Sequence, residues 1–374
     1  MSKNERSHRY LLLDGLRGLA AFAVIFHHVP PSHIGDMLPG RYLAVPFFFT
    51  LSGFVMAHAY ERRLQDGMKP LQLVQRRLIR LYPLYLAGLA LGAAMALLRF
   101  AEGWSPAPLS AIAVAAALNL AMIPSPALST LPGFYPFNIP SWSLGFELAI
   151  NIVYAFLARF LSTRVLAAIL AVSAPCLVWM TFQSTAAWKW SGFWYDSWLV
   201  IFGFFAGVMI YRINKAKRLP RLPAWLGVVC FMAIIMVPTH GIWRDIFEAI
   251  AVVALLPLIV ACFANSEVSG ATARACGWAG AASYGVYVLH VPLWSVIRLG
   301  LDKFGIADLP DWAPGVAVAA TATVAALVLD AIYDRPVRRW ITARLQPRKP
   351  AKASLRRPAA GARTGAPQPS SSRL

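Results

Sequence analysis

The sequence predicts an all-α protein that crosses a membrane many times. Hydrophobic residues make up 58% of its 374 residues, and the mean hydropathy is +0.58. Charged residues account for 14%, whereas about a quarter of a typical soluble protein is charged. Several apolar runs approach or exceed the roughly 20 residues that a helix needs to cross the hydrocarbon core. The period-two alternation that is typical of an outer-membrane barrel is absent.

Eleven apolar segments can be drawn along the chain, and basic stretches determine how many of them cross. The positive-inside rule places the N-terminus, residues 62–80, residues 211–222 and the C-terminal tail in the cytoplasm. An odd number of crossings, such as eleven, would leave the two termini on opposite sides of the membrane. We therefore predict about ten crossings with both termini cytoplasmic. The segment at 106–124 is then re-entrant or lies on the surface. The segments are 10–29, 40–61, 80–99, 106–124, 143–161, 165–182, 196–213, 223–238, 245–264, 277–298 and 313–333.

The chain divides into a membrane-embedded domain at 1–345 and a basic tail at 346–374. The tail is rich in Pro, Ala and Arg and has no acidic residue, so we expect it to be disordered. The formal charge of +19 falls mainly between apolar segments and at the termini. It therefore indicates membrane topology and does not favour nucleic-acid binding.

The first apolar segment contains Asp14, Arg17 and His28, whose ionisable side chains are costly in hydrocarbon. At about 100° per residue, the steps from Arg17 to His28 end roughly 20° beyond three full turns, so both lie on one helical face. Asp14 precedes Arg17 by three residues and is expected to pair with it. The predicted topology puts Arg17 toward the cytoplasm and His28 toward the outer side. A functional stripe is favoured over an interfacial ion pair.

A second polar stripe begins the segment at 143–161. Ser143 and Glu147 are separated by four residues, and Asn151 continues the same face. The topology places Ser143 and Glu147 at the depth of His28, which favours acid-base chemistry on a hydroxyl group. A carboxylate there requires a partner, and we expect His28 or the acceptor hydroxyl. Ser143 as a helix cap is the alternative.

Six short motifs occur in order between Arg17 and Arg339. They are LDGLRGLAAFAVIFHH with Arg17 and His28, LSGF with Ser52, RRLIRLYPLY with Arg77 and Arg80, PSWSLGFE with Trp142, Ser143 and Glu147, SYGVYVLHVPL with Ser283, Tyr287 and His290, and DRPVRRW with Asp334 and Arg338. Through this set, the chain resembles the acyltransferase 3 family of integral membrane O-acyltransferases, which acylate bacterial cell-surface glycans. One departure is Pro46, where many relatives have aspartate. We expect no counterpart of the C-terminal SGNH hydrolase-like domain that some relatives carry.

The resemblance implies an enzyme of the bacterial inner membrane. It would transfer an acyl group, with acetyl expected, from acyl-CoA to a hydroxyl of a glycan or exopolysaccharide, with polysaccharide assembly proteins as further partners. No tightly bound cofactor and no metal are implied; acetyl-CoA is the expected donor substrate. The expected residues are His28 as general base with Glu147 and Ser143, then Arg17, Arg77 and Arg80 at the donor phosphates, and Ser52, Trp142, Asn151, Tyr287 and His290 as substrate contacts.

Several alternatives remain open at this stage. A covalent acyl-histidine is a variant of the mechanism, and intramembrane charges are also typical of a transporter or flippase of a polar solute. A non-catalytic accessory protein of a polysaccharide assembly complex is a further rival. Arg77 and Arg80 fit positive-inside anchors as well as a donor site. The face shared by Ser283, Tyr287 and His290 fits polar helix packing as well as substrate contact. Aromatic residues at 188–198 fit an interfacial belt as well as sugar stacking.

Overall fold

The computed structural model describes residues 10–29, 33–126, 130–131, 133–183, 187–217, 219–306 and 309–345. Of these residues, 79% are helical and none belongs to a sheet. The all-α polytopic class is therefore confirmed. The predicted basic tail at 346–374 and the first nine residues lie outside the described part of the chain.

Each of the eleven apolar segments contains a helix. Short helical turns at His33–Asp36 and Arg41–Leu43 join the first two helices, and Trp190–Gly192 leads into the seventh. The helices are α1 Leu11–His28, α2 Ala44–Gln65, α3 Pro70–Ala101, α4 Leu109–Leu120, α5 Ser141–Leu157, α6 Thr163–Thr181, α7 Phe193–Lys217, α8 Ala224–Ile235, α9 Ile242–Phe263, α10 Gly270–Lys303 and α11 Ala313–Leu345.

Eight of the helices in the described residues are long and apolar enough to span a membrane; α4, α5 and α8 are shorter. The prediction of ten crossings requires α5 and α8 to cross as well. At about 1.5 Å per residue, the 12 residues of α8 are roughly 18 Å long, which is less than the roughly 30 Å of a bilayer core. The described contacts place Gly227 of α8 near Leu12 and Gly40 near Ile235. The crossing count stays a prediction.

Helices α1 and α10 form a closely packed parallel pair. Near their N-terminal ends, Gly18 lies against Ala279, with no room for a side chain at the glycine. Further along, His28 contacts His290. Small residues permit such close helix approach in membranes. Because the sequence-based topology directs both helices outward, their parallel packing agrees with it.

Helices α2 and α7 approach each other through glycines. A Cβ atom on Gly53 would overlap the carbonyl of Phe204, and one on Gly207 would overlap the carbonyl of Thr50. The close packing of α2 against α7 therefore requires the glycine of the LSGF motif. This contact fixes α2 at the point where the neighbouring Ser52 turns toward α5.

Helix α4 follows α3 only part of the way and then the chain turns back. The Tyr85 hydroxyl, halfway along α3, donates to the Asn119 carbonyl at 2.5 Å. The Asn119 amide nitrogen in turn donates to the Phe134 carbonyl at 3.2 Å. Phe137 then packs against Gly92, nearer the C-terminal end of α3. Buried Asn119 thus holds the turn that follows α4, and the re-entrant or surface position of 106–124 stays a prediction.

Candidate active site

Two imidazoles meet where α1 and α10 are adjacent. Nδ1 of His28 lies 3.2 Å from Nε2 of His290, and the same Nδ1 lies 3.1 Å from the Val24 carbonyl. His290 is fully buried, and its Nδ1 lies 3.1 Å from the Val286 carbonyl. His290, a predicted substrate contact, therefore contacts His28, and its role toward the substrate stays a prediction.

These contacts determine which ring nitrogens carry protons. A carbonyl only accepts hydrogen bonds, so neutral His290 donates from Nδ1 to Val286 and accepts at Nε2. His28 then donates from Nδ1 toward Val24 and His290. In this tautomer, Nε2 of His28 carries a lone pair. His28 is thereby prepared to act as a base.

Glu147 is held by Ser52 and Arg77 and not by His28. The Ser52 hydroxyl donates to Oε1 of Glu147 at 2.8 Å, and a guanidinium nitrogen of Arg77 donates to the same oxygen. The expected pairing with His28 was wrong. Helix α3 begins at Pro70, ten residues before the predicted segment. Arg77 is therefore about two turns inside the helix and reaches the depth of Glu147.

The three predicted donor-site arginines line one cavity but differ in their contacts. Arg17 forms the expected ion pair with Asp14 at 3.1 Å, and it also donates to Ser283 and to the Gly280 carbonyl. Arg77 is neutralised by Glu147. Within the described part of the chain, Arg80 makes no hydrogen bond or ion pair. Arg80 is therefore the most available of the three for an added anion.

Ser143 and Tyr287 join α5 to α10. Their hydroxyl oxygens are 2.7 Å apart, and both also lie within hydrogen-bond distance of the Pro140 carbonyl. Ser143 is the third residue of α5, so the cap alternative is not what the structure shows. Of the two hydroxyl protons, one lies between Ser143 and Tyr287, and the other points to the Pro140 carbonyl. The hydroxyl that donates to Pro140 must release that carbonyl before it can donate to an oxyanion.

Two cavities meet at Tyr287 and Val45, which line both of them. The first, called the outer cavity, has a volume of about 420 Å³ and reaches His28 and Trp142. The second, called the inner cavity, measures about 120 Å³. Its polar lining consists of Arg17, Ser52, Arg77, Arg80, Ser143, Glu147, Ser283, Tyr284 and Tyr287.

The remaining predicted contact, Asn151, is not part of either cavity lining. It is buried, and neither atom of its amide has a hydrogen-bond partner among the described residues. Ser283, Tyr287 and His290 bond to Arg17, Ser143 and His28. These three α10 residues therefore contact facing helices, as the packing alternative supposes. Ser283 and Tyr287 also line a cavity, whereas His290, like Asn151, lines neither.

Sequence reasoning missed a polar group in the wall of the outer cavity. It comprises Tyr42, Tyr195, Arg244 and Glu248. The Tyr195 hydroxyl donates to Oε1 of Glu248, and the Arg244 guanidinium carbon lies 4.8 Å from the centroid of the Tyr42 ring. Glu248 lies within the apolar segment at 245–264. The cost of a carboxylate in hydrocarbon, which drew attention to Glu147, applies to Glu248 as well.

Comparison with known proteins identifies the class of this site. A family model described as an acyltransferase domain matches residues 10–331. No solved structure matches the chain significantly.

Three curated proteins are similar to the chain. Protein 2 in the picA locus of Rhizobium radiobacter is 38% identical over 180 residues, which is 46% of this chain and 93% of that protein. Acyltransferase MdmB of Streptomyces mycarofaciens is 26% identical and covers 88% of this chain and 92% of its own length. BcsY of Komagataeibacter xylinus, named as a membrane-bound transacylase, is 28% identical over 75% of this chain and 72% of its own length.

Proposed function

The chain belongs to the acyltransferase 3 family and is a multi-pass membrane O-acyltransferase, and we propose that it transfers acetyl from acetyl-CoA to a glycan hydroxyl. The acceptor class follows the family resemblance. The membrane would be the bacterial inner membrane. The match to acyltransferases favours this enzyme over the transporter and the accessory protein.

The observation that carries the proposal is that His28 lines a cavity that adjoins a second, arginine-lined cavity. His28 lines the outer cavity, and Tyr287 borders both cavities. The donor would enter from the inner cavity, which is narrow enough to suit an extended thioester arm. The acceptor hydroxyl would enter from the outer cavity. The reacting atoms would then meet beside His28 and Tyr287.

The inner cavity is suited to a phosphorylated donor. Arg80 is unpaired within the described residues and lies near the N-terminal end of α3, where the topology predicts the cytoplasm. A guanidinium group matches the geometry of phosphate oxygens. Arg80 would hold the donor phosphates. Arg17 and Arg77 are held in place by Asp14 and Glu147. They would add to the positive electrostatic potential around the donor phosphates.

The chemical step uses one proton. Nε2 of His28 removes the proton of the acceptor hydroxyl while its oxygen attacks the thioester carbonyl carbon. The tetrahedral intermediate collapses as the carbon–sulfur bond breaks. The leaving thiolate then takes the proton back from His28. Ser143 or Tyr287 would donate a hydrogen bond to the oxyanion after release from the Pro140 carbonyl.

The test compares purified His28→Ala with His240→Ala, a control at an exposed histidine outside both cavities. With radioactive acetyl-CoA and glycan acceptor, we expect His28→Ala to lose about a hundredfold or more of the transfer rate, the contribution typical of a general base. We expect His240→Ala to match the wild type. Wild-type transfer by His28→Ala would refute the proposal. Label that stays on rapidly denatured wild-type protein at neutral pH, is removed by hydroxylamine and is absent from His28→Ala would replace direct transfer with the acyl-histidine route.

A further inference from the structure

The outer cavity contains polar groups that the transfer step itself does not use. At about 420 Å³, its volume falls within the range of ordinary small-molecule sites. Trp142 and Trp188 contribute apolar surface to its wall, and Tyr42, Tyr195 and Glu248 contribute hydroxyl and carboxylate groups. Mixed apolar walls with a few placed polar groups are typical of a specific binding site.

Trp188 is held in an unusual backbone conformation. Its φ is 67°, in the left-handed region that a bulky residue rarely adopts. Its N–H donates to Oδ2 of the fully buried Asp196 at 3.1 Å, and its carbonyl accepts from the Phe134 N–H at 3.0 Å. Such strain persists only where surrounding structure imposes it, and it is concentrated at functional sites. Asp196 thus acts as a positioning residue for this wall of the cavity.

Two polar groups in the cavity have capacity for a ligand. The Tyr42 hydroxyl is buried beside Arg244 and Glu248, and it does not form a well-aligned hydrogen bond with any described residue. Oε1 of Glu248 accepts a hydrogen bond from Tyr195, and Tyr42 and Arg244 lie near the same carboxylate. A carboxylate accepts several hydrogen bonds. A ligand rich in hydroxyl donors would satisfy Glu248, and it would give the Tyr42 hydroxyl an acceptor.

The lining of the outer cavity has more negative than positive side chains. Arg244 is the positive residue, and Asp245 and Glu248 are the negative ones, so with neutral histidines the lining carries one net negative charge. The nearby Lys189 is exposed and lies against the Trp188 ring, at 4.8 Å from its centroid. An anionic ligand in this cavity would be repelled by the net negative charge of the lining.

We propose that the outer cavity is an acceptor subsite for an uncharged sugar and discriminates against anionic sugars, with Glu248 as its hydrogen-bond acceptor. This inference rests on the proposed function for the role of the sugar as acyl acceptor. Glu248 determines specificity in two ways. It accepts hydroxyl protons from a neutral sugar, and its charge repels a uronate.

The experiment pairs neutral phenyl glycosides with the matching uronides: glucoside with glucuronide, galactoside with galacturonide, and mannoside with mannuronide. The full-length enzyme in nanodiscs is titrated with each compound, and binding is measured by saturation-transfer NMR, which requires no acyl transfer. We expect at least one neutral glycoside to bind tenfold or more tightly than its uronide. We expect Glu248→Gln to reduce that ratio to below threefold, because it removes the charge while keeping the side-chain shape.

Glu267→Gln is the matched control, because Glu267 is an exposed carboxylate paired with exposed Arg221. It should leave the binding ratio at the wild-type value. Equal affinity for both members of every pair, no affinity for any compound, or an unchanged ratio in Glu248→Gln would overturn the subsite. The same titration on His28→Ala separates the two proposals. Selective binding together with transfer that does not depend on His28 would refute the proposed function alone.

Discussion

The proposed role of His28 as a base depends on its contact with His290. The ring of His290 shares the Nδ1 proton of His28 with the Val24 carbonyl and so helps to orient the His28 ring, which makes its effect on catalysis indirect. A residue that only supports the fold would not distinguish side chains by their ability to accept a hydrogen bond. Substitution of His290 can therefore separate an effect on the orientation of His28 from an effect on the stability of the protein.

We predict that His290→Phe lowers kcat by tenfold or more and leaves the KM for the donor within about twofold, because the base loses its orientation and the donor site is untouched. His290→Gln should recover part of the lost kcat, since the glutamine carbonyl can accept from Nδ1. Steady-state kinetics of both variants provide the measurement. Equal kcat for the two would show that His290 has no orienting role.

The pair of Arg77 and Glu147 gives a prediction about stability. Their side chains are 10% and 19% exposed, so removing the carboxylate leaves a buried guanidinium unpaired. We expect Glu147→Leu to cost about 3–5 kcal/mol, as is typical when one partner of a buried pair is removed. The double variant Arg77→Met with Glu147→Leu should recover most of that loss. Thermal unfolding of the purified protein measures both.

The exposed pair of Arg221 and Glu267 serves as the control for this cycle. Their side chains are 68% and 76% exposed, and Glu267→Leu should change stability by less than about 1 kcal/mol. If Glu147→Leu unfolds at the wild-type temperature, the pair is not a buried structural contact. Activity should be lost in both Glu147 variants, because the inner cavity loses its carboxylate in both and Arg77 as well in the double variant.

The sequence identified most of these residues but not all of their partners. The ion pair of Asp14 and Arg17 was predictable, because both residues lie on one helix with known spacing. The partner of Glu147 was not, because it depends on where another helix begins. The pairing of His28 with His290 joins residues far apart in sequence. No periodicity within a single helix reports such a contact.

At the element scale, close helix packing determines where the site residues point. Gly53 allows α2 to approach α7 until the backbones touch, and Ser52 beside it binds Glu147. The eleven apolar segments were predictable from hydropathy, since each long apolar run needs a helix in a bilayer. The start of α3 at Pro70 was not, because its first turns carry basic residues that resemble a loop.

We predict that Gly53→Ala destabilises the protein by about 1–3 kcal/mol or more, since the added methyl group meets the carbonyl of Phe204 and backbone cannot move aside easily. Gly277→Ala is the control within a helix, because nothing lies within 4 Å of its added Cβ. It should be neutral or slightly stabilising through better helix propensity. Fluorescence-detected size-exclusion chromatography after graded heating compares them. Equal stability of the two variants would contradict the close approach.

At the scale of the whole molecule, the two cavities lie on either side of Tyr287 within one helical bundle. Charge parity assigned directions to the helices, and the parallel packing of α1 with α10 agrees with those directions. The sequence could therefore predict that Arg17 and His28 lie at different depths. It could not predict the cavities, because their walls combine residues from many separate segments.

The central claim is that acetyl moves from a donor on the cytoplasmic side to a hydroxyl on the outer side through His28. The most direct measurement reconstitutes the enzyme in one orientation in sealed liposomes, with radioactive acetyl-CoA on the Arg80 side and glycan acceptor on the His28 side. We predict labelled acceptor with wild-type enzyme and at least a hundredfold less with His28→Ala. Two results would contradict this mechanism. One is that the acceptor is labelled only when both substrates are on the same side, and the other is that His28→Ala labels it as well as the wild type.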